Sequence, residues 1–257
     1  MTARFVATHS ILSLDTDHPY TAKSLIDAQD MHRTVMSGFR GWGTDGDPDA
    51  RAQMGVLSTW TVDLRAGVLV LVVQSRVPGD WAGMPRGALT RKPHVITVDR
   101  TFRSGDTLTF RTVVNPTYSR QSGPPGDRPR GRRTPHTRPD HVRAWFLDRL
   151  QPPGQPQRSP GGVPRIGATA DPEALSVRML PAASSAGPHE GLRLARAEIR
   201  GTLTVTDPAA LVTALSQGVG RGRAYGCGLL LTRDARDIRD VTPASPPTRT
   251  GTRSAPR

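Results

Sequence analysis

The sequence predicts an α+β fold made of two copies of one unit, each running β-α-β-β-α-β. Three observations carry this. Stretches with strand and helix character follow one another in that order over residues 1–100. The same order returns over residues 101–235, without any residue-by-residue repeat. The helices are short and carry one apolar stripe each, so each can cover one face of a sheet. Together these are the signs of two ferredoxin-like domains in tandem, followed by a basic tail at 236–257 that has no core pattern.

In the first unit, residues 2–14 hold Phe5-Val6-Ala7, Ile11-Leu12 and Leu14 and read as a strand. Ser24 is a favourable N-cap, with Asp27 three residues on. From there Leu25, Ala28, His32, Val35 and Phe39 fall at helical spacing. The acidic, glycine-rich loop 41–49 ends that helix. Residues 57–64 alternate with period two and 68–73 form an apolar run, joined at Arg65-Ala66-Gly67 as a hairpin. Residues 78–89 are a weak helix broken by Gly and Pro, and 94–98 read as the fourth strand.

The second unit opens with a strand at 107–114. A helix at 139–150 places Val142, Trp145, Phe146 and Leu150 on one side. Strands at 175–180 and 194–205 follow. Asp207 caps a helix with Pro208 at its first position, where proline is favoured, and Ala210, Leu211, Ala214 and Leu215 form its stripe. A glycine-rich loop at 218–228 leads into a last strand at 229–232. Segments 119–138 and 151–170 and the tail from 241 are rich in Pro, Gly or Arg and read as poorly ordered.

Composition narrows the function. The 257 residues carry a net charge of +13, nearly all of it from arginine; Lys23 and Lys92 are the lysines. Such a charge calls for an anionic partner, nucleic acid before membrane. No apolar run reaches the ~18 residues of a membrane helix, no signal peptide is visible, and the single cysteine, Cys227, fits a reducing compartment. The expected location is the cytoplasm. No H-x-x-H, H-E-x-x-H or C-x-x-C spacing appears, so neither metal nor cofactor is expected. A Walker A loop and a G-x-S-x-G elbow are absent too.

Two stretches carry the chemistry. The first is Gly218-Val-Gly-Arg-Gly-Arg-Ala-Tyr-Gly-Cys-Gly228, with five glycines and two arginines in eleven residues. Glycines let another backbone approach closely, and consecutive exposed N–H groups make an anion-binding hollow. Arg221 and Arg223 add donors suited to phosphate. The segment also parallels the RNP1 pattern of RNA-binding sheets, with Tyr225 as its first aromatic. Cys227 and Leu230 stand where the later aromatics belong, so a base-stacking platform is missing. The second stretch is His32-Arg33 on the first helix. A histidine there is either a partly buried side chain of an amphipathic helix or a proton carrier at neutral pH. Cleavage of RNA by its own 2′-hydroxyl is a reaction that such a carrier serves without a metal. The arginines of the 119–138 segment (Arg120, Arg128, Arg130, Arg132 and Arg133) are either solvated linker or a clamp on an RNA duplex.

Three segments resemble the CasE family, the type I-E CRISPR-associated endoribonucleases that cut precursor CRISPR RNA. They are residues 27–39 (DAQDMHRTVMSGF), Phe110-Arg111-x-x-x-Asn115-Pro116-Thr117, and residues 201–231 with the spacing G-h-G-x5-G-h-G. The resemblance implies two ferredoxin-like domains and binding of the CRISPR repeat hairpin. It also implies cleavage at the 3′ base of the stem, leaving a 2′,3′-cyclic phosphate and a 5′-hydroxyl. The enzyme would then stay on the RNA with the other Cascade subunits. It places His32 at the catalytic histidine and Arg33 at the scissile phosphate. RNA contacts are expected from Arg111, Asn115, the 119–138 arginines and the loop residues Gly218, Gly220, Arg221, Arg223, Tyr225, Gly226 and Gly228. Members often carry a tyrosine one turn before the histidine, where this chain has Gln29. The rival expectation is a non-catalytic RNA-binding subunit of the same kind of complex.

Overall fold

The computed structural model describes residues 1–42, 50–119, 133–159, 162–185 and 191–235. Two antiparallel sheets form its frame. The first has strands β1 (Thr2–Asp15), β2 (Leu57–Asp63), β3 (Val68–Ser75) and β4 (His94–Arg103), in the order β2-β3-β1-β4. The second is built from β5 (Thr107–Val114), β9 (Ser176–Ser184), β10 (Arg193–Val205) and β11 (Leu230–Asp234). Its order is β11-β5-β10, with β9 and the short β8 (Ala168–Thr169) also on β10. In both, the first strand pairs with the third and fourth, the ferredoxin-like arrangement. A small ribbon, β6 (Thr117–Ser119) with β7 (Arg133–Pro135), projects from the second sheet.

The helices differ from expectation in two places, at Ser24–Asp27 and over residues 78–89. Ser24 is not a cap but lies inside α1 (Pro19–Ile26), whose first turn is held by His18 and Pro19. The Ser24 hydroxyl donates to the Tyr20 carbonyl and meets the Thr34 hydroxyl at 2.8 Å. The chain breaks at Asp27, whose extended backbone ends α1 and whose carboxylate caps α2 (Ala28–Met36). A one-turn α3 (Ala50–Gln53) precedes β2. Residues 78–89 form no helix. Three prolines and three glycines between 78 and 93 deny it hydrogen bonds, and the segment instead delivers Trp81 and Ala88 to the core. The second sheet is covered by α4 (Pro139–Leu147) and α5 (Pro208–Gln217), the latter capped by Asp207 as its sequence predicts. The tail from 236 onward lies outside the described residues.

Two cores result. Leu12, Leu14, Met31, Val35, Leu71 and Val73 centre the first. Phe110, Phe146, Ile199, Leu203 and Leu211 centre the second, which also takes Phe5, Ala7 and Phe102 from the far end of the first sheet. β1 therefore serves both cores. Further ties cross between the halves. Gln74 donates from Nε2 to the Leu215 carbonyl at 2.8 Å, and the Arg196 guanidinium stacks on Trp60 at 4.3 Å from the ring centre.

On the polar face of the second sheet, Glu198 is 3% exposed and receives Arg111, Arg178 and Arg200 at 2.5, 3.1 and 3.0 Å. Burial alone would raise its carboxyl, but hydrogen bonds from Arg200 and Arg111 outweigh that and hold it at about 2, against an ordinary 4.5. The stabilisation is present in full above pH 4.5 and is lost as pH falls toward 2. Glu198→Gln should lower stability by about 3 kcal/mol, since it strands a partly buried Arg111 while the two more exposed arginines stay solvated. Urea titration at pH 7 checks it, and the difference from wild type should shrink at pH 3.

Candidate functional site

The site lies where α2 meets the glycine loop. Asp27 accepts from the backbone N–H of Gln29 and Asp30 at 2.7 and 3.3 Å. Ser185, from the second half, donates its hydroxyl to the same carboxylate at 2.9 Å. The start of α2 is thus pinned from both halves. Met31 and Val35 then point into the first core, so His32, one residue round the helix, faces the second half.

His32 is half-buried. Its Nδ1 is shut off from solvent and makes no hydrogen bond of good geometry among the described residues. Burial lowers its pKa below the ordinary 6.5; the nearby Ala224 backbone opposes this, and the charges of Arg51 and Arg33 lower it further. The ring is therefore neutral at pH 7 and able to accept a proton. Tyr225 lies against it, ring centres 5.9 Å apart and planes at 59°. Arg33 is largely exposed and donates to Asp30 at 2.8 Å, a carboxylate that Lys23 also approaches at 3.5 Å.

The glycine loop owes its shape to its glycines. Gly222 and Gly226 take left-handed φ of 74° and 73° at either end of the turn Arg223–Tyr225. Side chains resist that conformation. At Gly226 there is also no space: a Cβ would stand 1.7 Å from the Trp60 ring. Val219 and Gly228 bridge the loop, with the Val219 N–H donating to the Gly228 carbonyl at 2.8 Å. Cys227 is fully buried, and burial pushes its thiol up to about 11.

Two basic hollows flank the loop. One, of about 280 Å³, is lined by Arg51, Arg76 and Arg223. The other is a cleft of about 1000 Å³ on the second half, reached by Arg133, Arg149, Arg158, Arg221 and Arg223. Besides Trp145, a run of rings lines its wall: Tyr118 and His136 at 4.7 Å, and His136 and His141 at 5.8 Å. His141 is exposed and His136 is half-buried. Arg149 is 8% exposed, lies 3.4 Å over the Trp145 ring, and is brought down to about 10 by burial.

The structure thus brings together His32, Arg33, Arg223 and Tyr225, and places Arg133, Arg221, Gly218 and Gly220 along the adjoining cleft. Arg111 is elsewhere: its guanidinium is committed to Glu198. Asn115 is buried at 4% exposure, bridged to Arg221 through the backbone. Arg120, Arg128, Arg130 and Arg132 lie outside the described residues. The sequence gives no sign of Arg51, Arg76, Trp60 or Ser185, which reach the site from other elements with no motif of their own.

Comparison with known proteins agrees with this architecture. CRISPR endoribonuclease Cse3 bound to a 19-nucleotide RNA has 20% identity and a TM-score of 0.65, covering 89% of this chain and 98% of its own. Cas6e from Escherichia coli K-12 has 19% identity and a TM-score of 0.57, covering 89% and 99%. A chain of a CRISPR RNA-guided surveillance complex in its pre-nicking state has 20% identity and a TM-score of 0.52, covering 87% and 98%. No curated protein matches the sequence. The family described as CRISPR associated protein matches residues 9–233, nearly all of the two-sheet frame, and the chain belongs to that family.

Proposed function

We propose that the chain is a CasE-type endoribonuclease that binds the repeat hairpin of precursor CRISPR RNA and cuts at the 3′ base of its stem. One observation carries this reading: a half-buried histidine, its pKa lowered by burial, set against Tyr225 of the glycine loop and near the guanidinium groups of Arg33 and Arg51. His32 takes the proton of the 2′-hydroxyl, and that oxygen attacks the adjacent phosphorus. Arg33 and Arg223 face the developing phosphate charge; Arg33 can leave Asp30 because an exposed ion pair is worth little. The products are a 2′,3′-cyclic phosphate and a 5′-hydroxyl, and the hairpin stays bound as the chain's place in a Cascade complex.

The arginines of the cleft and of the 119–138 segment track the stem backbone. A-form RNA hides its base edges in a deep, narrow groove, so shape is read before sequence. The rings of Tyr118 and His136 suit unpaired nucleotides beside the stem.

The test is incubation with repeat RNA in excess EDTA, followed by end-group analysis. Cleavage with cyclic phosphate ends is expected, and a 2′-deoxy nucleotide 5′ of the cut should block it. Cutting of the deoxy substrate sinks the 2′-hydroxyl mechanism. The size of the basic cleft favours one alternative, a subunit that only binds RNA; that alternative requires no cleavage in the same assay.

A further inference from the structure

We propose that Tyr225 is the acid of this reaction, giving its phenolic proton to the departing 5′-oxygen while His32 acts as the base on the other side of the phosphorus. This rests on the cleavage reading above. In-line displacement puts the entering 2′-oxygen and the leaving 5′-oxygen on opposite sides of phosphorus, so one ring cannot serve both in a single step. The structure sets a second ring beside the first, 5.9 Å away and steeply inclined to it.

The charged and titratable groups around His32 narrow the choice. Arg33 on its own helix, Arg51 on α3 and Arg223 on the loop stay protonated and stabilise charge without giving up a proton. The Asp30 carboxylate is engaged by Arg33 and Lys23. Gln29 has no proton to transfer, and its backbone N–H is taken by Asp27 and Ser185. Tyr225 remains. Its phenol oxygen has no partner among the described residues, while its backbone is fixed: the Tyr225 N–H donates to the Gly222 carbonyl at 2.9 Å. Gly226, the next residue, is wedged under Trp60.

The step balances. The 2′-hydroxyl proton moves to His32 and the O2′–P bond forms. The P–O5′ bond breaks, and the Tyr225 proton goes to O5′. Water returns a proton to the phenolate and removes one from the imidazolium, and the enzyme is restored.

Sulfur in place of the bridging 5′-oxygen supplies the test, because a thiolate leaves without a proton. Tyr225→Phe should slow single-turnover cleavage of ordinary repeat RNA by about 10²- to 10³-fold with unchanged hairpin affinity. On the 5′-thio RNA, Tyr225→Phe and wild type should cut at equal rates, while His32→Ala stays slow. An equal loss on both substrates, or no loss on either, overturns the proposal. Should wild type leave no cyclic phosphate on ordinary RNA, the cleavage reading itself falls, whatever the Tyr225 variant does.

Discussion

Replacing His32 with alanine lowers the single-turnover cleavage rate of the repeat hairpin by about 10²- to 10⁴-fold, the usual contribution of a positioned acid or base. Hairpin affinity should not change. His32 is neutral at pH 7 because burial and two arginines lower its pKa, so it contributes no charge to phosphate binding or to the salt dependence of binding. Arginine variants behave in the opposite way: Arg221→Ala or Arg223→Ala weakens binding, and each lost phosphate contact flattens the log–log salt slope by about 0.7–0.9. The lowered pKa fixes the sign of the pH profile. A base must be unprotonated, so the wild-type rate rises with pH through a midpoint below 6.5 and is level near neutrality. Cleavage that falls between pH 5.5 and 7, or an unimpaired alanine variant, removes His32 from the mechanism.

Gly226→Ala should destabilise the protein by about 2–5 kcal/mol, the sum of a left-handed backbone forced on alanine and an overpacked contact. The added methyl would stand 1.7 Å from the Trp60 ring, far inside contact distance. Relief requires Trp60 to move, and Trp60 is the platform for Arg196 across the junction of the two halves. Gly105→Ala is the matched control. Gly105 also has a left-handed φ, 90°, but nothing lies within 4 Å of its added methyl. It should cost only about 1–2 kcal/mol. Urea midpoints compared at constant slope separate the two. Equal losses at Gly226 and Gly105 would mean that Trp60 yields freely and that the junction is soft.

Much of the frame was legible in the sequence because it is written in local patterns. β2 and β3 show alternation and an apolar run, and the Asp207-Pro208 cap marks the start of α5. The failures are equally local in cause. A single helical spacing through Leu25 and Phe39 conceals the break at Asp27, because the apolar rhythm continues across it. β4 runs on to Arg103, further than the apolar run at 94–98 suggests, because it stays paired with β1 as far as Thr2 opposite Arg103 and delivers Phe102 to the second core. At the site, His32 and the loop are each visible alone. Their closeness is not, since it depends on Trp60, Ser185 and Gln74, single residues whose partners lie in the other half. Such contacts leave no periodic trace.

The shared ownership of the site has a consequence for when activity can begin during synthesis. His32 is made early and Tyr225 close to the end of the described chain. The second sheet closes only when β11, which follows the loop, pairs with β5. An N-terminal half that folds first on the ribosome would carry a histidine with no opposing ring. If the proposed roles hold, a nascent or truncated chain ending before Tyr225 should cleave RNA far more slowly than the chain in which β11 has closed the second sheet.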